Sequence, residues 1–156
     1  MENNNLYDVI IVDEAHATGV FGARGEGLVS ALGLEDRVFA RVHTFGKALG
    51  CHGAAVVGSD LLKQYLINFA RPFIYTTALP GHSIQAASNA YNYLSLEEFN
   101  KESLHELIRY FRSLIAKHGA EGWKDSSSAI QAIVYGDSEQ CRAAASQLQQ
   151  NGYQVN

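Results

Sequence analysis

The chain has 156 residues, the length of one ordinary domain, and 47% of them are hydrophobic, enough to bury a core. A formal charge of -4 and the lack of a basic stripe argue against nucleic acid as the main partner. Cys51 and Cys141 lie far apart and outside any Cys-x-x-Cys spacing, which predicts a reducing cytoplasm and neither a disulfide framework nor a metal site. No signal peptide and no apolar run long enough to span a bilayer is apparent, so no membrane partner is expected.

In chain order, residues 7–12 read as a strand buried on both faces, because Val9 and Ile11 on one side and Ile10 and Val12 on the other are apolar. That pattern predicts a central strand of a mostly parallel sheet, with Asp13 at its carboxyl end, where open α/β sheets bind ligands. A glycine-rich loop follows, with Gly19, Gly22, Gly25 and Gly27. Residues 38–44 and 54–58 read as two further strands. The link between them is too short for a crossover helix, so an antiparallel pair is expected, with Lys47 on its turn.

Ser59 or Asp60 is placed to cap a helix with Leu61, Leu62, Tyr65, Leu66 and Phe69 on one face, ended by Arg71-Pro72. Residues 73–77 read as extended, and Pro80 as the start of a helix with Ile84, Ala87, Tyr91 and Leu94 on one side. Ser95 and Glu98 form a capping-box pattern that would open a long helix carrying Leu104, Leu107, Ile108, Phe111, Leu114 and Ile115 inward, with Gly119 beyond its end. A strand at 129–135, a helix from about 138 to 150 and residues 153–155 would begin a β-α-β unit. The expected division falls between residues 1–95 and 96–156.

The chemistry concentrates in Asp13, His16 and Lys47. A lysine between glycines in His43-Thr44-Phe45-Gly46-Lys47-Ala48-Leu49-Gly50 is suited to hold the aldehyde of pyridoxal phosphate (PLP) as a Schiff base. Asp13 would keep the pyridine nitrogen protonated by opposite-charge pairing, and His16 is close enough to reach the cofactor's phenolic oxygen. Taken singly, Asp13 is as readily a loop cap, His16 a structural histidine and Lys47 a solvated charge. A rival is a DEAH-box helicase-like ATPase, in which Asp13-Glu14 would hold magnesium. That reading needs a Gly-x-x-x-x-Gly-Lys-Ser/Thr phosphate loop, and Ala48 follows Lys47 where Ser or Thr is required. His43, Cys51 and His52 match no metal spacing and read as packing or turn residues.

Together, Val12-Asp13-Glu14-Ala15-His16-Ala17-Thr18-Gly19, Phe21-Gly22-Ala23-Arg24-Gly25-Glu26-Gly27 and the Thr44 to Gly50 motif resemble the α-oxoamine synthase family of fold-type I PLP enzymes. Phe69-Ala70-Arg71-Pro72-Phe73-Ile74-Tyr75-Thr76-Thr77-Ala78-Leu79-Pro80 looks most like its 8-amino-7-oxononanoate synthase branch. The resemblance implies an α/β chain: residues 1–95 as the C-terminal half of the PLP-binding large domain, and 96–156 as a linking helix and the start of a small α+β domain. It further implies that Lys47 carries PLP, Asp13 and His16 hold its ring, and Thr44 contacts its phosphate. Thr76 and Thr77 would reach the phosphate of the other subunit in a homodimer. The implied reaction condenses an amino acid, L-alanine in the favoured branch, with a pimeloyl thioester of coenzyme A or a carrier protein, losing carbon dioxide, as in biotin synthesis. Other members of the family, acting on other amino acids and acyl groups, are the alternative. Because the resemblance covers part of a family member, the piece by itself is expected to be inactive.

Overall fold

A computed structural model of the chain describes residues 9–96, 101–119 and 121–155. It comprises two compact units, Met1–Phe99 and Asn100–Asn156. No helix among the described residues is long and apolar enough to cross a membrane.

The first unit is built on a three-stranded sheet in the order β1 (Ile11–Asp13), β2 (Ala40–Thr44), β3 (Ala54–Gly58). β1 and β2 are parallel, pairing Ile11 with Ala40 and Asp13 with Val42, whereas β2 and β3 are antiparallel, pairing Thr44 with Ala54. The antiparallel pair with Lys47 on its turn is as expected. Among the described strands the sheet is therefore mixed, with β2 between β1 and β3, and β1, whose apolar run predicts a central strand, stands at its edge. Tyr7 and Asp8 lie outside the described residues; the register with β2 runs from Ile11 to Asp13, and the Ile10 carbonyl accepts from the Phe39 amide (2.9 Å) just before it. Val9 is 65% exposed and Ile11 61% exposed. An unbroken apolar run gives a strand two faces fit for burial, but burial needs neighbours, and among the described residues β1 has one sheet partner.

A short helix α1 (Leu28–Ala31) follows the glycine loop, and the Arg41 guanidinium on β2 donates to Ser30 Oγ (2.8 Å), tying β2 to it. α2 (Asp60–Phe69) starts as predicted, with Ser59 Oγ accepting from the Leu62 amide. Phe73 and Ile74 are not extended. They belong to a single turn, α3 (Arg71–Ile74), in which the Ala70 carbonyl accepts from both of their amides. Pro72 sits in the first turn, where its missing N–H breaks no helical bond. α4 (Gly81–Leu94) begins after Pro80, with Ser83 and Leu94 buried and Ile84 exposed.

In the second unit α5 (Glu102–His118) ends on Gly119 in the left-handed conformation, as read from the sequence. The capping box does not open it. Glu98 lies outside the described residues, Ser95 closes α4 with its hydroxyl bonded to the Tyr91 carbonyl, and α5 has no side-chain cap. The expected strand at 129–135 is reduced to an isolated bridge between Trp123 and Ile133, and residues 153–155 form no strand, so no β-α-β unit is present among the described residues. A strand persists only where a neighbour accepts its ladder of hydrogen bonds. Phe111 meets Trp123 edge-on at 5.4 Å, and Arg112 bonds the Lys124 carbonyl and Asp125. α6 (Ser138–Gln150) is capped by Asp137, which accepts from the Glu139 amide.

Candidate active site

Asp13 ends β1 with its side chain exposed, and its Oδ1 accepts from the Ala15 amide at 2.8 Å, which orients the carboxylate. Strand alternation turns the next side chain the other way. Glu14 is accordingly buried, only 1% exposed, and its amide donates to the Val42 carbonyl (2.8 Å), extending the pairing with β2. The Glu14 carbonyl accepts from the amides of Ala17 and Thr18 and from the Thr18 hydroxyl, closing a tight turn on which His16 stands exposed.

The glycine loop folds back on this turn. Gly19 N donates to the Gly25 carbonyl at 2.8 Å and Gly27 N to the Phe21 carbonyl at 3.0 Å. Gly19 has a φ of 79°, and a Cβ built on it would fall 2.8 Å from Cβ of Ala48. The residue beside Lys47 therefore rests directly on the loop that follows Asp13 and His16. The Lys47 turn is itself closed by Cys51 N to the Phe45 carbonyl (2.7 Å), Gly50 N to the Lys47 carbonyl and Phe45 N to the Gly53 carbonyl. Lys47 is exposed at its tip.

Thr44, the last residue of β2, places its Oγ1 out of reach of solvent with no hydrogen-bond partner among the described residues. A buried hydroxyl left unpaired is unfavourable unless something else supplies the bond. Asp13, His16, Thr44 and Lys47 thus stand at one end of the sheet, where the parallel strands β1 and β2 finish. Thr76 and Thr77 are not brought to Lys47 by any contact. They are exposed, although Leu79, a little further on, comes as near as Phe45 to where a Gly53 side chain would stand, 3.3 Å in each case. The apolar groove of about 620 Å³ between β3 and the α2–α3 region contains none of these residues.

His43 is buried, in keeping with a packing role. The Thr18 hydroxyl donates its one proton to the Glu14 carbonyl (2.9 Å), so its oxygen accepts from Nδ1 of His43 at 2.8 Å, which assigns the ring proton to Nδ1. Burial holds this imidazole below the usual histidine range; the Glu14 carboxylate opposes that shift and the Arg41 guanidinium adds to it. Burial likewise raises the Tyr91 phenol, whose ring meets Phe45 edge-on at 5.8 Å.

Sequence reasoning missed Glu14. Its Oε1 and Oε2 accept from the amides of Val29 (2.8 Å) and Leu28 (2.9 Å), at the start of α1. The available signal was the alternation of the strand, which must send Asp13 and Glu14 to opposite sides. The same geometry counts against the magnesium-binding acidic pair of the helicase reading, because the two carboxylates diverge and Glu14 is already committed to backbone amides.

The model of the family described as aminotransferase class I and II matches residues 5–156. The chain is 53% identical over 105 residues to an 8-amino-7-oxononanoate synthase of Emericella nidulans, covering 66% of this chain and 26% of that protein. It is 40% identical over 149 residues to an 8-amino-7-oxononanoate synthase of Xylella fastidiosa, covering 95% and 37%. Among solved structures, the 8-amino-7-oxononanoate synthase of Francisella tularensis superposes with a TM-score of 0.83 at 32% identity, covering 94% of this chain and 44% of that one. A serine palmitoyltransferase of S. paucimobilis, solved with a bound PLP-myriocin aldimine, gives 0.82 at 29%, covering 95% and 39%. The chain thus spans between 26% and 44% of the length of these relatives. It belongs to the aminotransferase class I and II family and, within it, is similar to the α-oxoamine synthases.

Proposed function

We propose that this chain contributes the cofactor-anchoring half of a PLP-dependent, decarboxylating C-acyltransferase that joins L-alanine to a pimeloyl thioester. The observation that carries the reading is the packing of the Lys47 turn on the Asp13–His16 loop through Gly19 and Ala48, beside the unpaired buried hydroxyl of Thr44. PLP, when bound, supplies an electron sink for the charge left when a proton is removed from the α-carbon of an amino acid. The residues present fit it. Thr44 Oγ1 lacks the partner that a phosphate oxygen would provide. Asp13 is already oriented by the Ala15 amide, and its exposed carboxylate would hold the ring nitrogen protonated.

His16 would donate to the phenolic oxygen. The Lys47 amine would hold the aldehyde and, once displaced by the amino acid, remove and return the α-proton as general base. Thr76 and Thr77, exposed on the stretch before Leu79, would bind the phosphate of a second subunit in a homodimer. The first compact unit would belong to the large cofactor-binding domain and the second would begin the small one. The whole enzyme would work in the cytoplasm.

The substrates rest on the relatives, which are named 8-amino-7-oxononanoate synthases. The second reading, L-serine with a palmitoyl thioester, is favoured by the likeness to serine palmitoyltransferase. A polypeptide of the relatives' full length containing this chain, given carboxyl-labelled amino acids, separates them. Labelled carbon dioxide released from L-alanine only when pimeloyl thioester is added supports the first. Release from L-serine with palmitoyl thioester supports the second, and release from neither rejects both.

A further inference from the structure

We propose that Glu14 is a positioning residue whose buried carboxylate holds Asp13 and His16 in their cofactor-facing arrangement. This rests on the roles proposed above for Asp13, His16 and Lys47. A carboxylate taken out of water is strongly unfavourable unless each oxygen is hydrogen-bonded. Glu14 meets that condition with two backbone amides, Leu28 N on Oε2 and Val29 N on Oε1, which have no partner within α1. α1 has no other side-chain cap, because the capping position is Gly27. That glycine makes the room: a Cβ on it would stand 2.9 Å from the Glu14 carboxyl carbon, and its φ of 111° with ψ of 173° is open essentially to glycine alone.

The rest of the residue is equally committed. Its amide fixes the loop to β2 through the Val42 carbonyl, and its carbonyl closes the turn beneath His16. One residue therefore joins the sheet, the turn and α1, and it lies between the two exposed side chains that would hold the cofactor ring. Asp13 has the Ala15 amide to orient its carboxylate, but the path of the backbone that presents it is set through Glu14. Loosening the carboxylate should let residues 13–19 drift relative to the Lys47 turn, with Gly19 against Ala48 as the contact that is lost.

The test uses a polypeptide of the relatives' full length and three variants. Glu14→Gln puts an NH₂ group where one amide needs an acceptor. Leu28→Pro deletes one donor while leaving Glu14 intact, and proline is well accepted at the first position of a helix. Val29→Ala serves as the control, because it weakens the packing of a buried side chain but keeps both bonds. The measurements are amide exchange at Val29, PLP dissociation, and the pH titration of the bound cofactor's visible absorbance.

Glu14→Gln should speed exchange at Val29 and raise the PLP dissociation constant by about tenfold or more, the scale of a lost bond to a charged group. It should also move the absorbance titration, because Asp13 and His16 no longer face the ring correctly. Leu28→Pro should move the titration the same way and by less, and it reads the proposal even if Glu14→Gln does not fold. An unmoved titration in both variants, or an equal movement in Val29→Ala at matched loss of stability, would reduce Glu14 to a packing residue. A parent protein that binds no PLP overturns the cofactor reading and the proposal together, whereas normal binding with unresponsive variants overturns only the proposal.

Discussion

Gly19 and Ala48 are in contact so close that a side chain on the first would overlap the second: the Cβ positions would be 2.8 Å apart. Gly19 sits six residues after Asp13 and Ala48 is next to Lys47, so this contact sets the spacing between the proposed carboxylate and the proposed lysine. Replacing Gly19 with Ala adds both the overlap and a strained positive φ, at a cost of about 1–3 kcal/mol. It should lower the melting temperature and weaken PLP binding. Adding Ala48→Gly removes the overlap but not the strain, so the double variant should recover part of the binding. A Gly19→Ala protein with parental affinity for PLP would show that the two loops do not need this contact.

Thr44→Val should have opposite effects with and without cofactor. The Thr44 hydroxyl is buried and unpaired. Valine of nearly the same shape relieves that deficit, so the cofactor-free protein should be unchanged or more stable by up to about 1 kcal/mol. PLP affinity should fall about tenfold, because the hydroxyl proposed for the phosphate is gone. Chemical unfolding without PLP and PLP titration measure the two separately.

The buried His43 makes stability depend on pH in a defined direction. Its folded-state pKa lies below the unfolded value of about 6.5 because burial disfavours the imidazolium; the Glu14 carboxylate opposes this and Arg41 reinforces it. As pH falls through that value the unfolded chain takes up a proton before the folded one does, so the stability present above about pH 6.5 should decline until the folded value is passed. His43→Asn keeps a donor toward Thr18 and cannot titrate. Urea midpoints at pH 7.5 and 5 should converge in that variant relative to the parent, apart from the slope contributed by carboxylates.

Asp13→Asn should leave the fold intact, because the amide oxygen can still accept from the Ala15 N–H. It removes the charge proposed to keep the pyridine nitrogen protonated. Exchange of the α-proton of L-alanine with deuterated solvent should fall on the order of 10²–10³-fold, the scale seen when preorganised electrostatic stabilisation is lost. Unchanged exchange would leave Asp13 as the cap of the Ala15 turn.

The features legible in the sequence are those fixed locally. The β2–β3 pair is short-range, the Ser59 cap needs only residues 59–62, and Gly119 ends α5 by its own conformational freedom. What depends on distant partners is not met among the described residues. Val9 and Ile11 have the pattern of a central strand but no cover among the described residues, and residues 129–135 have strand composition but only the Trp123–Ile133 bridge. At the site, the residue types of Asp13, His16 and Lys47 carry the proposed chemistry. The motif alone could not show that Gly19 receives Ala48 or that Glu14 caps α1, because both contacts join loops separated by more than a dozen residues.

The most direct measurement is where the cofactor is attached. A full-length polypeptide containing this chain, incubated with PLP, reduced with borohydride and digested, should yield one pyridoxyl-labelled peptide, and fragmentation should place the label on Lys47. The Lys47→Ala variant should lose the label together with the visible absorbance. A label on any other lysine, or none in a folded protein, would contradict the account.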